Sequence, residues 1–362
     1  MPMPGAGTLR CLLFGHDTVE CSYYASPTSA CAIDFDQLAA IREGLRQAAQ
    51  RGGREIELGG VSFLLRPNGT QTGYPFVIVN PDMTVCLGPN NVPPFFVKYH
   101  STALWREGIA ALHGGFIAWL SAIGFEFEKE TLARVDLTFD YYVPEVDFDE
   151  DAFVSLATKD AQHRSRRSLQ GLRFGQDEVV LRVYDKIAEI KEQSHKTWFF
   201  ALWGESENVW RFEWQVRKNV LHRFGIRSIE SLLLQQGDLL RYLAQEHDSL
   251  RIPTQDSNRS RWPLHPLWID LQSQISSLPA TGIYREVNLA ALLEERLARI
   301  AISFYGNCKQ VAAIHSVRNS GERIGPQRAL REIAVRMLDI HDSLSWKDDV
   351  SKRVTKLRLE AQ

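Results

Sequence analysis

The chain has 362 residues, 44% of them hydrophobic, and a formal net charge of −2. It is therefore globular in composition and long enough for one large core or two modest ones. The charge balance excludes a protein that simply coats nucleic acid, because sequence-independent affinity comes from neutralising phosphates with Lys and Arg. No stretch approaches the roughly 20 apolar residues needed to span a bilayer. The odd set of cysteines (Cys11, Cys21, Cys31, Cys86, Cys308) has no Cys-x-x-Cys pairs at zinc-finger spacing. A soluble, non-exported protein of a reducing cytoplasm is expected, without a membrane partner.

In chain order, a Pro/Gly-rich start (1–10) reads as flexible, and Asp17–Tyr24 as a strand. Phe35–Arg51 places Leu38, Ile41, Leu45 and Ala48 on one helical stripe, closed by Gly52-Gly53. From Glu55 to Lys98, short β-rich runs alternate with turn pairs such as Asn68-Gly69, which predicts an antiparallel meander. Ser101 is a plausible N-cap for a helix to about Ile123, ended by Gly124 and followed by a strand over Leu132–Tyr142. A short helix is expected at Asp149–Ala157, then a basic loop, then a hairpin of Leu172–Phe174 and Val179–Tyr184 around Gly175–Asp177.

Ile187–Gln193 reads helical, Val209–Lys218 as a strand and Ile229–Glu246 as helical. Arg251–Pro266, rich in Pro, Ser, Asn and Arg, reads as a linker or exposed loop and as the main domain boundary. Beyond it, Leu289–Tyr305, Cys308–Val317 and Pro326–Leu344 are predicted helices, with breaks at Gly306, Gly321 and Gly325-Pro326. The expected fold class is α+β: an antiparallel-sheet domain over 11–250, then a helical C-terminal region over 267–362.

Three strands carry chemistry. In Arg134-Val-Asp-Leu-Thr-Phe-Asp140, alternation sends Val135, Leu137 and Phe139 to one face and Arg134, Asp136, Thr138 and Asp140 to the other. Carboxylates brought together out of water need positive compensation, which a hard divalent cation such as Mg²⁺ or Mn²⁺ supplies through oxygen ligands. A solvent-facing sheet surface explains the same spacing.

In Val179–Lys186, Arg182, Tyr184 and Lys186 share a side while the strand stays extended. Attack by a tyrosine on a phosphodiester needs a base, cation or metal nearby, and Arg182 and Lys186 could clamp the phosphate. A half-buried strand tyrosine beside a snorkelling neighbour is the bland alternative. In Trp210–Arg217, Arg211, Glu213, Gln215 and Arg217 oppose Trp210, Phe212, Trp214 and Val216, adding a third carboxylate. An ordinary cross-strand ion pair accounts for that strand alone. Arg134, Arg164, Arg166, Arg167, Arg173, Arg211 and Arg217 are the candidate DNA contacts, although solvated hairpin and helix faces carry similar charge.

The succession Arg-Val-Asp-Leu-Thr-Phe-Asp, Leu-Arg-Val-Tyr-Asp-Lys and Trp-Arg-Phe-Glu resembles the replication initiation factor family over about residues 14–225. That family comprises rolling-circle plasmid initiators, filamentous-phage initiators and conjugative-element relaxases. The resemblance implies Tyr184 of the Arg-x-Tyr-x-Lys motif as nicking nucleophile, Asp136 and Glu213 as metal ligands, and Asp140 as a weaker third. It also implies origin DNA as substrate, a divalent Mg²⁺ or Mn²⁺ cofactor, a bacterial host cytoplasm, and host helicase and polymerase as partners. The architecture of that family resembles the HUH endonucleases, but this sequence has no His-x-His pair.

The implied reaction leaves a 5′-phosphotyrosine and a 3′-hydroxyl primer, and the same site can later religate the displaced strand. Tyr141 and Tyr142 are the competing tyrosines. Two other functions fit the same residues: a non-enzymatic origin-binding protein, and a metal nuclease that activates water at Asp136, Asp140 and Glu213. Pro326–Leu344, with Arg328, Arg331 and Arg336 among apolar positions, suits duplex recognition or homodimer formation, and equally an amphipathic core helix.

Overall fold

A computed structural model describes residues 8–48, 52–165, 168–281 and 289–359. The chain divides into two compact units, Met1–Tyr284 and Arg285–Gln362.

The first unit runs β1 (Arg10–Pro27), α1 (Phe35–Gln47), β2 (Arg54–Leu58), β3 (Val61–Leu65), β4 (Phe76–Val79), β5 (Met83–Leu87), β6 (Phe95–Tyr99), α2 (Ser101–Glu107), α3 (Ile109–Ala122) and β7 (Phe125–Tyr142). It continues with β8 (Phe153–Ser155), β9 (Asp160–Ser165), β10 (Ser168–Phe174), β11 (Val179–Asp185), α4 (Lys186–Glu189), α5 (Phe199–Trp203), β12 (Val209–Arg217), α6 (Lys218–Arg223), α7 (Ile229–Tyr242), β13 (Asp248–Leu250) and α8 (Pro266–Ser276). Among the described residues, eleven of these strands form one sheet in the order β2-β3-β4-β5-β6-β1-β7-β12-β11-β10-β9. Every pairing in it is antiparallel. The α+β class is as expected.

The alternation predicted for the three chemical strands holds. Val135, Leu137, Phe139, Phe212, Trp214, Val216, Leu181 and Val183 are fully buried in one core, together with Leu239 and Leu240 of α7 and Leu267 and Trp268 of α8. At roughly 25 cal/mol per Å² of apolar surface, this layer fixes which face of the sheet is left for polar groups. A one-residue slip would exchange the faces.

Several elements differ from expectation. The chain from Ser101 to Ala122 is two helices, because Gly108 takes φ 78°, a left-handed conformation that ends α2. Only Glu150–Ala152 of the expected Asp149–Ala157 helix is helical, as one 3₁₀ turn, and Phe153–Ser155 pairs with β13 instead. The expected basic loop is partly strand β9, while Arg166 and Arg167 lie outside the described residues. Of the flexible start, residues 1–7 also lie outside them, and Arg10 already opens β1.

Arg251–Pro266 does not divide the chain. Arg251 N–H donates to the Ala152 carbonyl (2.8 Å), His265 N–H donates to Leu250 (3.0 Å), and Trp268 of α8 packs 5.7 Å from the Trp214 ring. The unit boundary falls after α8 because Leu267, Trp268, Leu271 and Ile275 are buried in the sheet's own core. A loop with polar composition can still be anchored at both ends through its backbone.

The second unit holds α9 (Leu289–Arg318), α10 (Pro326–Asp339) and α11 (Ser343–Leu359). Gly306 does not interrupt α9, since a helical glycine costs only about 1 kcal/mol against alanine. His315 of α9 meets Glu332 of α10 at 2.7 Å and Glu322 at 3.3 Å. Among the described residues, no helix is long and apolar enough to cross a membrane.

Candidate active site

The polar face of the sheet has two ends, set by what covers it. The segment after Tyr184 folds over one end: Ile187, Ile190, Phe199, Trp203 and Val209 form a separate apolar cluster against Leu12, Leu13 and Trp105. Beneath this cover, Asp140 and Arg211 have no exposed surface. Arg211 donates from Nε (2.6 Å) and Nη2 (2.8 Å) to the two Asp140 oxygens, and Trp203 Nε1 donates to Asp140 Oδ2 at 3.0 Å. Arg211 Nη1 reaches Asp17 at 2.7 Å, and the guanidinium lies 4.8 Å from the Phe199 ring centre.

Neither Asp140 nor Arg211 lines the cavity at the other end of this face: Asp140, expected as a third metal ligand, has both oxygens bonded to buried donors, and Arg211, expected as a DNA contact, has no exposed surface. Their strand positions suggested an open face, but α4 and α5 close it.

The other end opens into a cavity of about 560 Å³ lined by Asp17, Arg134, Asp136, Arg182, Tyr184, Lys186, Lys196 and Glu213, among others. Register explains the convergence: Arg182 is directly opposite Glu213, and Asp136 is opposite Gln215, the next residue of that face on β12. Tyr184 donates its hydroxyl to Glu213 Oε2 at 2.9 Å. Arg134 donates to both Asp136 oxygens, Nε at 2.8 Å and Nη2 at 2.5 Å. Arg182 Nη2 lies 2.9 Å from Glu213 Oε1 and 3.6 Å from Asp136 Oδ2, and also donates to Gln215 Oε1 at 2.9 Å. Lys186 pairs with Glu189 at 2.6 Å, with its ammonium 5.5 Å from the Tyr184 ring centre.

These neighbours set the proton affinities. Burial, then the Glu213 carboxylate, pushes the Tyr184 phenol well above its ordinary range, with Arg211 opposing. Burial raises Glu213 first; Arg182 pulls it down, while Asp17 and Asp136 push it up, and the net shift is upward. Burial and then Arg211 lower Lys186 against the pull of Asp17 and Glu189. Burial alone would raise Asp17, but Arg211, Lys196 and Lys186 hold it well below the usual carboxylate range.

Asp17, Lys196 and Gly171 are site residues that the sequence did not single out. Asp17 enters where the β1–β7 register shifts between His16 and Thr18, and it accepts from Ser101 Oγ at 2.8 Å. Gly171 is the cross-strand partner of Tyr184, and a Cβ there would sit 3.1 Å from Tyr184 Cβ. A carboxylate just ahead of the alternating run Val19–Ala25 was the available signal for Asp17. Lys196, in the segment between α4 and α5, carried none.

The remaining basic candidates are dispersed. Arg173 is exposed and lines the cavity, with Nε donating to the Gly175 carbonyl. Arg164 is exposed on the edge strand β9, bonded to Gln162 at 3.0 Å. Arg217 is exposed at the end of β12 opposite Arg134, and does not line the cavity. Tyr141 is buried and donates to Asp270 at 2.7 Å, away from the acidic pair.

Among the described residues, no group of three or more His, Cys, Asp or Glu side chains could hold a metal ion. Two of the carboxylates that line the cavity, Asp136 and Glu213, are bridged by the Arg182 guanidinium, and Arg134 donates to both oxygens of Asp136.

Comparison with protein-family profiles and with curated protein sequences finds no match. Among solved structures, the chain is similar to a rolling circle replication initiator protein from Geobacillus stearothermophilus, at 17% identity and a TM-score of 0.44, over 76% of this chain and 99% of that one. So slight a likeness carries no functional conclusion, and the functional reading rests on the residues of the cavity.

Proposed function

We propose that this protein nicks one strand of DNA at a replication origin through Tyr184, initiating rolling-circle replication and later resealing the displaced strand. The observation that carries the reading is the 2.9 Å hydrogen bond from the Tyr184 hydroxyl to Glu213 in the wall of a cavity lined with arginine and lysine. A phenol already pointed at a carboxylate of raised proton affinity has its base in place.

In the proposed reaction, Tyr184 Oη bonds to the scissile phosphorus as its proton passes to Glu213 Oε2. The P–O3′ bond breaks, and the 3′-oxygen takes up a proton from solvent. The product is a 5′-phosphotyrosine and a 3′-hydroxyl end for a polymerase. Because one phosphodiester replaces another, the reverse attack by a 3′-hydroxyl rejoins DNA. Arg182, Lys186 and Lys196 supply positive charge where negative charge grows on the phosphate. Asp136 and Glu213 Oε1 would hold a divalent cation, which when bound would polarise the phosphate oxygens. Arg173 and Arg164, exposed on β10 and β9, would guide the single strand by its phosphates.

The test uses 3′-labelled single-stranded oligonucleotides tiling the DNA that flanks the coding sequence, with Mg²⁺ or Mn²⁺ present. Labelled protein that survives denaturation in wild type and disappears in Tyr184→Phe is the expected result. Cleavage with no protein-bound label would point instead to a nuclease activating water. Binding without cleavage would leave a non-enzymatic origin-binding protein.

A further inference from the structure

We propose that the cavity carries a subsite for one unpaired nucleobase, floored by Gly171 and walled by the His163 imidazole on one side and the Tyr184 ring on the other. The inference rests on the proposed reading of the cavity as the seat of single-stranded DNA, and it names what holds the nucleotide beside the phosphate that is cut.

Three residues stand in a row across neighbouring strands. His163 of β9 is opposite Gly171 of β10, and Gly171 is opposite Tyr184 of β11. All three line the cavity. Neighbouring strands are about 4.8 Å apart, so the two ring-bearing residues rise from strands roughly 10 Å apart. Gly171 has no side chain to fill the space between them, and a Cβ there would already sit 3.1 Å from Tyr184 Cβ. The width admits one planar base in contact with a ring at about 3.5 Å.

A bulge sets the outer wall. Leu169 pairs with Arg164, and that register carried forward would put Gln162 opposite Gly171. The shift between Leu169 and Gly171 brings His163 there instead. Bulges commonly re-aim side chains beside functional sites, and this one replaces an amide with an aromatic ring. His163 is exposed on the edge strand, where it adds nothing to the core.

The next row holds Arg173 opposite Arg182, and Arg182 opposite Glu213. It supplies cations for the sugar–phosphate chain beside the notch. A phosphate at the Tyr184 hydroxyl would have its own base within reach of Gly171 and His163. Stacking on aromatic rings holds single strands with little regard to sequence, because every base has a π face. The subsite would thus favour an unpaired strand over duplex DNA, whose bases are already stacked on one another.

The test is fluorescence anisotropy on the full chain at fixed salt, with labelled oligothymidylate and an abasic sugar–phosphate strand of the same length. Wild type, His163→Ala and His163→Phe are compared. Wild type should bind oligothymidylate more tightly than the abasic strand. His163→Ala should lose about tenfold of that preference by weakening oligothymidylate alone, and His163→Phe should keep it. Equal weakening of both strands would make His163 a phosphate contact, and unchanged binding of both would make it a bystander. Either result would overturn the subsite. No bond is broken in this measurement, so it fails independently of the covalent-adduct assay with Tyr184→Phe, which tests the nicking reading.

Discussion

Arg211 and Asp140 form a two-pronged ion pair, 2.6 and 2.8 Å between neighbouring strands, with neither side chain exposed. Removing one partner of such a pair leaves an unpaired buried charge, which is far costlier than breaking an ion pair at the surface. Asp140→Asn should therefore destabilise the protein by about 3 kcal/mol, read as a lowered urea midpoint. Mn²⁺ affinity of the folded fraction should not change. A variant as stable as wild type but unable to bind Mn²⁺ would return Asp140 to the ligand set.

Tyr184→Phe deletes one hydrogen bond at the cavity wall and should cost about 1 kcal/mol of stability or less. Its effect on covalent adduct formation should be a loss of at least about a thousandfold, as for removal of other nucleophiles. Retained adduct in the Phe variant would move the search to another nucleophile.

Glu213 must be unprotonated to take the phenolic proton, and burial with the nearby Asp17 and Asp136 raises its proton affinity above the usual 4.5. Adduct formation should thus rise with pH along a limb that lies above the ordinary carboxylate range. Glu213→Gln should abolish that limb and slow the reaction by about a hundredfold. Rates that trace the same limb in wild type and variant would assign the ionisation to a different group.

Arg164 and Arg173 are exposed on the β9–β10 hairpin and stand outside the carboxylate network. Replacing both by alanine should flatten the salt dependence of oligothymidylate binding by about 0.7 in the log–log slope for each phosphate that is no longer neutralised. Fluorescence anisotropy across a salt series measures this. A slope identical to wild type would remove the hairpin from the DNA path.

His16 is held from its usual 6.5 down to about 4, chiefly by burial, and the Gln236 side chain opposes the shift only partly. Below pH 6.5 the unfolded chain takes up the proton while the folded chain does not, so stability is complete above that pH and is lost as pH falls toward 4. The loss attributable to this residue is on the order of 3 kcal/mol. Urea midpoints of wild type and His16→Gln should converge or cross as pH drops through this window, and parallel curves would exclude the assignment.

The sequence by itself determined the two-residue periodicity of β7, β11 and β12, and with it the sharing of one face by Asp136, Arg182, Tyr184 and Glu213. Alternation is a property of the extended backbone and needs no knowledge of partners. Only the tertiary structure decided which part of that face works. The cover of Ile187, Phe199 and Trp203 over Arg211 and Asp140 depends on packing among distant segments, which turns two apparent site residues into a buried ion pair.

The same holds for Asp17, carried into the cavity by a register shift in β1, and for Arg251–Pro266, whose loop-like composition conceals backbone anchoring to Ala152 and Leu250. Local pattern selects a residue's face. What lies across from that face is set by strand register and long-range packing, which no single segment encodes.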